Sequence, residues 1–308
     1  MQSSTHQKLH LAGRIAYRLG RTGPPIRGKG YVALRGLASL VPEWPDDCKV
    51  LANDGTRFLH CDLHHHIYRS LHILGVHEPD VQWMLGRLLR EGDTAIDIGA
   101  NFGYHTVHAA ARVGKSGRVW AIEPQADMYA LLSENLAVNG AANVTADCLA
   151  LSDSRGTLAL HRYQSRGPAC TSMAHLGDEP FETIHCPMDT LDHYLAGHGV
   201  DSVTLIKLDV EGAELAVLKG AEDLLSRPVP PMWIVEVNFE TSEACGYHPN
   251  ELLSLLRSHG YVFYRPVMGK WIREVRGLER TDAVSHGDNI LAAVEGAHSD
   301  RLRMAGLK

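Results

Sequence analysis

From Thr94 onward, short apolar runs that end in a polar residue alternate with segments of helical spacing, and few folds accommodate that rhythm. "TAIDIG", "GRVWAIEP", "NVTADCLAL", "VTLIKLDV" and "PMWIVEV" read as five strands. "GYHTVHAAARV", "ADMYALLSENLAVNG" and "AELAVLKGAEDLL" read as helices between them, and "NELLSLLRSHG" follows as another, closed by Gly260. The strands are almost continuously apolar, which suits a sheet buried on both faces. Strands alternating with helices predict a mostly parallel sheet with helices on both sides. "YVFYR" and "DNILAAV" can add an antiparallel pair at the end of the chain. Ligands of such sheets bind at the carboxyl ends of the strands, near the switch in strand order. Chemistry is therefore expected at Asp97, Glu123, Asp153, Asp209 and Glu236.

The turn after the first of these strands is Gly99-Ala100-Asn101-Phe102-Gly103. A dinucleotide fold wants G-x-G-x-x-G, because a pyrophosphate must approach backbone amides at a helix start. Here Asn101 stands where the middle glycine would be, and its side chain would crowd a pyrophosphate. A ligand carrying an amino-acid group in place of a diphosphate could still fit. Asp97 can accept a hydrogen bond from an ammonium group, or anchor the turn. Glu123 comes twenty residues after Gly103, at the end of the second strand, where a carboxylate can accept both hydroxyls of a ribose and disfavours a 2′-phosphate.

Ahead of this region, residues 48 to 62 suggest two strands joined through "NDGT", and "PDVQWMLGRLL" has helical spacing with Pro79 in its first turn. A helix is expected around His6 to Leu19. Residues 1 to 42 carry seven Lys or Arg and no Asp or Glu, either a solvated basic arm or a contact for anionic lipid or a phosphorylated substrate. The formal charge of −6 gives no reason to expect nucleic acid as a partner. No apolar run reaches the ~18 residues of a membrane span, and the start lacks a signal core, so a cytoplasmic protein is expected. The six cysteines form no C-x-x-C pair and read as reduced thiols. Adjacent His64, His65 and His66 cannot all face one metal on a strand.

The ordered segments "DTAIDIGANFGYHTVHAA", "GRVWAIEP", "LALSD", "TLDHYL" and "LIKLDVEGAELAVLKGA" together resemble the FkbM family of S-adenosylmethionine-dependent methyltransferases. The similarity runs from about His72 to Asn238, "GVHEPD" included, and "IKLDVEGAE" is its most specific piece. The resemblance implies a Rossmann-like class I methyltransferase fold with a seven-stranded sheet, acting mostly on hydroxyls of sugars, glycolipids or polyketide-like natural products. It implies S-adenosylmethionine as cofactor, with Asp97, Gly99, Asn101, Gly103 and Tyr104 around the methionine part and Glu123 on the ribose. Asp153 would lie near the adenine, and Glu78 would help with the amino group. His105 stands where the family more often has an aromatic or small polar residue. The implied organisation is an N-terminal extension over residues 1–70, a methyltransferase domain over 71–296 and a tail over 297–308.

Methyl transfer to a hydroxyl needs an aligned nucleophile and a group that takes one proton. Asp209, Glu211 and Glu236 are the candidate bases. Glu214, in the first turn of the next helix, suits a capping role. Asp209, Glu236 and Asn238 together offer the oxygen ligands of a hard divalent cation, a metal-dependent alternative. His105 and His193 are secondary candidates. A nicotinamide-dependent oxidoreductase is disfavoured by Asn101, and a non-catalytic cofactor-binding protein would be expected to lose the strand-end acids. The acceptor pocket is expected from the basic arm, residues 48–78, the segment Arg162 to Glu182 with its loop "QSRGPACTSM", and residues 239–248. A homo-oligomer is compatible with the sequence.

Overall fold

The computed structural model describes residues 10–22, 32–163, 171–173, 178–267, 270–274 and 288–307. Most of "QSRGPACTSM", with Arg166, and the start of the expected first helix lie outside the described residues. The chain divides into two compact units, Met1–Pro79 with Ser133–Gly140, and Asp80–Leu132 with Ala141–Lys308. That boundary falls later than residue 70, and the first unit also takes part of a later helix.

In the first unit, helix α1 (Leu11–Thr22) is followed by a π-helical turn (Val32–Leu37) and a 3-10 turn (Ala38–Leu40). Strands β1 (Cys48–Leu51) and β2 (Arg57–Cys61) form the expected hairpin, and α2 (His66–Leu74) follows. Gly20 lets α1 approach α2 closely, since a Cβ there would lie 2.3 Å from the Ile73 carbonyl oxygen. Arg21 donates from Nε to the His72 carbonyl at 3.0 Å and from a terminal nitrogen to the Leu71 carbonyl at 3.0 Å. It thereby bonds carbonyls of the last turn of α2, the Leu71 carbonyl also accepting from the Gly75 amide at 2.8 Å. Asn135 and Asn139 bond backbone groups of Leu59 and Arg57 on β2.

The second unit carries α3 (Pro79–Leu88, from Asp80 on), β3 (Thr94–Ile98), α4 (Tyr104–Val113), β4 (Arg118–Ile122) and α5 (Ala126–Val138, as far as Leu132). There follow β5 (Val144–Asp147), β6 (Ala150–Ser152), β7 (Gly156–Tyr163), β8 (Thr171–Ser172), β9 (Phe181–Thr190) and α6 (Leu191–Gly197). The last third holds β10 (Leu205–Leu208), α7 (Glu214–Lys219), α8 (Glu222–Leu225), β11 (Met232–Val237), α9 (Phe239–Ala244) and α10 (Pro249–Ser258). It ends with β12 (Val262–Val267), β13 (Lys270–Glu274), β14 (Asp288–Ala293) and α11 (Glu295–Met304).

The main sheet has the order β13-β12-β14-β11-β10-β3-β4-β5. Five neighbouring strands, β11 to β5, run parallel, and β14, β12 and β13 pair antiparallel. This is the expected mostly parallel sheet, with β13 as an eighth strand at its edge. Alternate residues bury on opposite faces: Ile96, Ile206, Trp233 and Val235 pack with α6, α7 and α10, whereas Ala95, Leu205, Met232 and Ile234 pack with α3, α4 and α11. Each fully buried aliphatic or aromatic side chain stabilises the fold by about 1.5–3 kcal/mol.

Two readings change. "NVTADCLAL" is not one strand: β5 ends at Asp147 in the main sheet, and β6 begins a separate four-stranded sheet of order β6-β9-β7-β8. A continuous run of strand-forming residues carries no mark of a change of sheet. Residues 297–304, read as the start of a tail, continue α11, whose Arg301 donates to Asp93 at 2.9 Å while Leu302 is buried.

Candidate active site

The site grows from the carboxyl ends of β3, β4 and β10. The turn after β3 needs positive φ at three places, and Gly99, Asn101 and Gly103 adopt φ of 77°, 51° and 88°. Asparagine is one of the few non-glycine residues that enter this region readily. Its Oδ1 accepts from the Phe102 amide at 2.7 Å, folding the side chain back onto its own turn. Gly99 answers to a second demand: a Cβ there would lie 1.8 Å from the Asp209 carbonyl oxygen. The cofactor-type turn and the end of β10 therefore meet backbone to backbone.

Glu123, at the end of β4, is buried, and its two oxygens accept from the Asn101 amide at 2.8 Å and the Gln125 amide at 2.9 Å. Burial pushes its carboxyl up from 4.5 to about 7, against the lowering effect of those two amides. Glu123 thus holds the turn that contains Asn101 while keeping lone pairs for another donor.

The acids of β3 and β10 are joined by a residue that the sequence pattern did not single out. Lys207 lies beside Asp97 in the parallel register of β10 and β3 and is only 4% exposed. Its Nζ is 2.9 Å from Asp209 Oδ2 and 3.7 Å from Asp97 Oδ1. Asp97 Oδ2 accepts from the Thr106 hydroxyl at 2.5 Å, whereas its buried Oδ1 has no hydrogen-bond partner among the described residues. The visible signal was a single charge inside the apolar run "LIKL", where a lysine needs a carboxylate partner to be tolerated.

Beyond Asp209 the chain turns sharply at Glu211 (φ 53°) and Gly212 (φ 104°). Glu214 is buried, and its Oε1 accepts from the Val210 amide at 3.0 Å and the Gly212 amide at 3.2 Å. The Tyr247 hydroxyl donates to its Oε2 at 3.0 Å, and burial raises its carboxyl above the ordinary value. Glu214 therefore braces the loop ahead of α7, where a helix cap was the expected role. The Ser172 hydroxyl donates to the Glu211 carbonyl at 2.9 Å, tying β8 to the same turn.

The remaining candidates are more dispersed. Glu236 is half-buried on β11, one step past the Leu208–Val235 register pair, and so follows the line of Asp209 across the strand ends. Asn238 caps α9, its Oδ1 accepting from the Glu240 amide at 3.0 Å, so the amide oxygen of the cation alternative is already engaged. Among the described residues no three His, Cys, Asp or Glu side chains gather in a metal-binding group. Tyr104 opens α4 and is buried against Phe102, His105 and His108. His105 is 3.3 Å from Gln82 through Nδ1, and His193 pairs with Asp189 at 2.8 Å. Asp153 is exposed after β6, in the smaller sheet, whereas the strand of the main sheet ends at Asp147, which accepts from the Tyr194 hydroxyl at 2.6 Å. Glu78 belongs to the first unit, with φ of 43° and His77 3.8 Å away.

A family model described as the methyltransferase FkbM domain matches residues 97–263. Methyltransferase sdnD of Sordaria araneosa is 28% identical over 196 residues, 54% of this chain and 72% of that protein. The 31-O-demethyl-FK506 methyltransferase FkbM of Streptomyces tacrolimicus is 28% identical over 201 residues, 56% of this chain and 74% of that one. The hexuronic acid methyltransferase AglP of Haloferax volcanii is 27% identical over 180 residues, 58% and 67% of the two chains.

Proposed function

This chain belongs to the FkbM methyltransferase family, and from that premise we propose that it methylates a hydroxyl group of a sugar, glycolipid or polyketide-like natural product. Its donor is S-adenosylmethionine. The described residues suit that cofactor: a buried carboxylate oxygen of Asp97 lacks a hydrogen-bond partner, which fits an ammonium group, and Glu123 sits at a strand end where ribose hydroxyls would donate. Gly99, Asn101, Gly103 and Tyr104 would complete the methionine end, and Asp153 would serve the adenine. When bound, the cofactor supplies a methyl group on a good leaving group, so the protein has to align the acceptor and take its proton.

The row Asp97–Lys207–Asp209 carries this reading. One buried ammonium lies between two carboxylates at the strand ends, bonded to Asp209 and 3.7 Å from Asp97, and on this reading Asp97 would serve the cofactor and Asp209 the acceptor. Asp209, 21% exposed at its side chain, takes the hydroxyl proton on the oxygen that Lys207 does not hold. Glu236 and Glu211 stand nearby as orienting acids. The name of one relative, a 31-O-demethyl-FK506 methyltransferase, supports transfer to oxygen, and that of another, a hexuronic acid methyltransferase, supports a sugar-type acceptor.

Calorimetry with S-adenosylhomocysteine and NADH, together with labelled-methyl transfer to a panel of sugars and glycosylated natural products, tests the proposal. Binding of the first ligand and label on oxygen are expected. Tight binding of NADH without S-adenosylhomocysteine, or label on nitrogen or carbon alone, would overturn it.

A further inference from the structure

Helix α1 packs in an unusual sense. Its buried positions are Gly13, Ala16 and Gly20, at i, i+3 and i+7, and Gly20 makes the close approach to Ile73 described above. Two of its three larger aliphatic residues point outward, Leu11 being 59% exposed and Ile15 46%, whereas Leu19 is half-buried. Amphipathic helices of soluble domains do the reverse, burying leucine and isoleucine in the core. Arg14 and Arg18 lie exposed on the same stripe, so the outward face reads Leu11, Arg14, Ile15, Arg18, at i, i+3, i+4 and i+7.

The next elements of the same unit extend the pattern. Val32 is 50% exposed, Leu40 64%, and Arg35 is exposed between them. Among the described residues, seven large hydrophobics are exposed, and four of them fall between residues 11 and 40. That stretch contains no acid, the first being Glu43, while residues 1 to 42 hold seven Lys or Arg. Exposed aliphatics interleaved with arginines and no carboxylates are complementary to a surface that is apolar beneath and anionic above. No helix among the described residues is long and apolar enough to cross a membrane.

We propose that this face of the first unit docks on the surface of an anionic lipid bilayer, with Leu11, Ile15, Val32 and Leu40 entering the headgroup boundary and Arg14, Arg18 and Arg35 pairing with lipid phosphates. The docking is peripheral and reversible, because four aliphatic side chains and three arginines make a modest anchor. It does not depend on the acceptor proposed above.

The test is co-sedimentation of the full chain with vesicles of phosphatidylcholine alone and of phosphatidylcholine with phosphatidylglycerol, at low and high salt. Binding to the anionic vesicles only, weakened by salt, is expected. Leu11→Ser/Ile15→Ser and, separately, Arg14→Gln/Arg18→Gln should each weaken partitioning, the arginine pair by roughly thirtyfold. Circular dichroism and S-adenosylhomocysteine binding check that both variants remain folded. Equal binding to neutral vesicles, no binding to anionic ones at low salt, or indifference to both folded variants would overturn the proposal. So would light scattering that finds a dimer dissociated by Leu11→Ser/Ile15→Ser in a protein that ignores vesicles, since the face would then be a contact between copies of the chain. Should the aliphatic variant not fold, the salt dependence of the unaltered protein and the arginine pair decide the matter.

Discussion

Lys207 and Asp209 form a 2.9 Å ion pair at the end of β10, with the ammonium side chain only 4% exposed. An ammonium at that depth is stable only with its carboxylates in place. Replacing Lys207 by Met leaves Asp97 and Asp209 facing each other without the cation. A loss of about 3 kcal/mol in urea unfolding is expected. Adding Asp97→Asn to Lys207→Met should recover part of that loss, because it removes one uncompensated charge.

Asp209 should be separable from cofactor binding. Asp209→Asn keeps the size and one acceptor oxygen but removes the carboxylate proposed as the base. Turnover should fall by at least about a hundredfold, the scale of a lost general base. Calorimetric affinity for S-adenosylhomocysteine should change little. Unchanged turnover would take Asp209 out of the mechanism.

Glu123 makes the protein's stability depend on pH. Its carboxyl is raised by burial from 4.5 to about 7, so the folded state holds a proton that the unfolded state has lost between those values. The contribution is full below about 4.5 and is lost as the pH rises to about 7. The span is worth at most roughly 3 kcal/mol. Glu123→Gln should flatten this part of the stability profile, measured by denaturation across pH. Ribose hydroxyls would favour the ionised form, so cofactor binding near neutral pH should release protons, seen as calorimetric enthalpies that vary with buffer.

The two glycines of the first turn should differ in tolerance. At Gly99 the obstacle is the Asp209 carbonyl, 1.8 Å from where a Cβ would stand, and main chain cannot step aside. At Gly103 the nearest atom is Leu132 Cδ1 at 2.6 Å, the end of a flexible side chain. Both carry the strain of positive φ. Gly99→Ala should therefore lower the melting temperature well beyond Gly103→Ala.

Loop bracing by Glu214 should appear as a mixed defect. Glu214→Ala deprives the buried Gly212 amide, the half-buried Val210 amide and the Tyr247 hydroxyl of their acceptor, at a cost of roughly 1–3 kcal/mol. Turnover should fall with it, because Asp209 and Glu211 flank the loosened loop. Tyr247→Phe should reproduce only a small part of both effects.

The parallel core was legible because its signals are local: an apolar strand, a turn rich in glycine, a helix, repeated. Glu214 was readable as a helix cap from its place in the first turn of α7, but the amides of Val210 and Gly212 that it accepts from precede the helix, so it braces the loop instead. The hairpin around "NDGT" and the final antiparallel pair were visible for the same reason. The break between β5 and β6 was not, since residues 143 to 151 look equally strand-like whichever sheet they join. Lys207 did not stand out because its meaning is entirely non-local: its partner Asp97 is brought beside it by the register of two strands over a hundred residues apart. Gly99 looked like a ligand requirement, yet the atom that demands a glycine belongs to Asp209. Asn238 looked like an available ligand because helix capping shows only once the position of α9 is known.

The contact of Gly99 with the Asp209 carbonyl has an evolutionary reading. The turn at Gly99 and the loop at Asp209 are fused at a main-chain junction that admits no extra atom, so neither can drift without dislodging the other. Novel acceptors must therefore be accommodated by remodelling elsewhere, and libraries meant to broaden the substrate range should leave residues 97–103 and 207–214 intact.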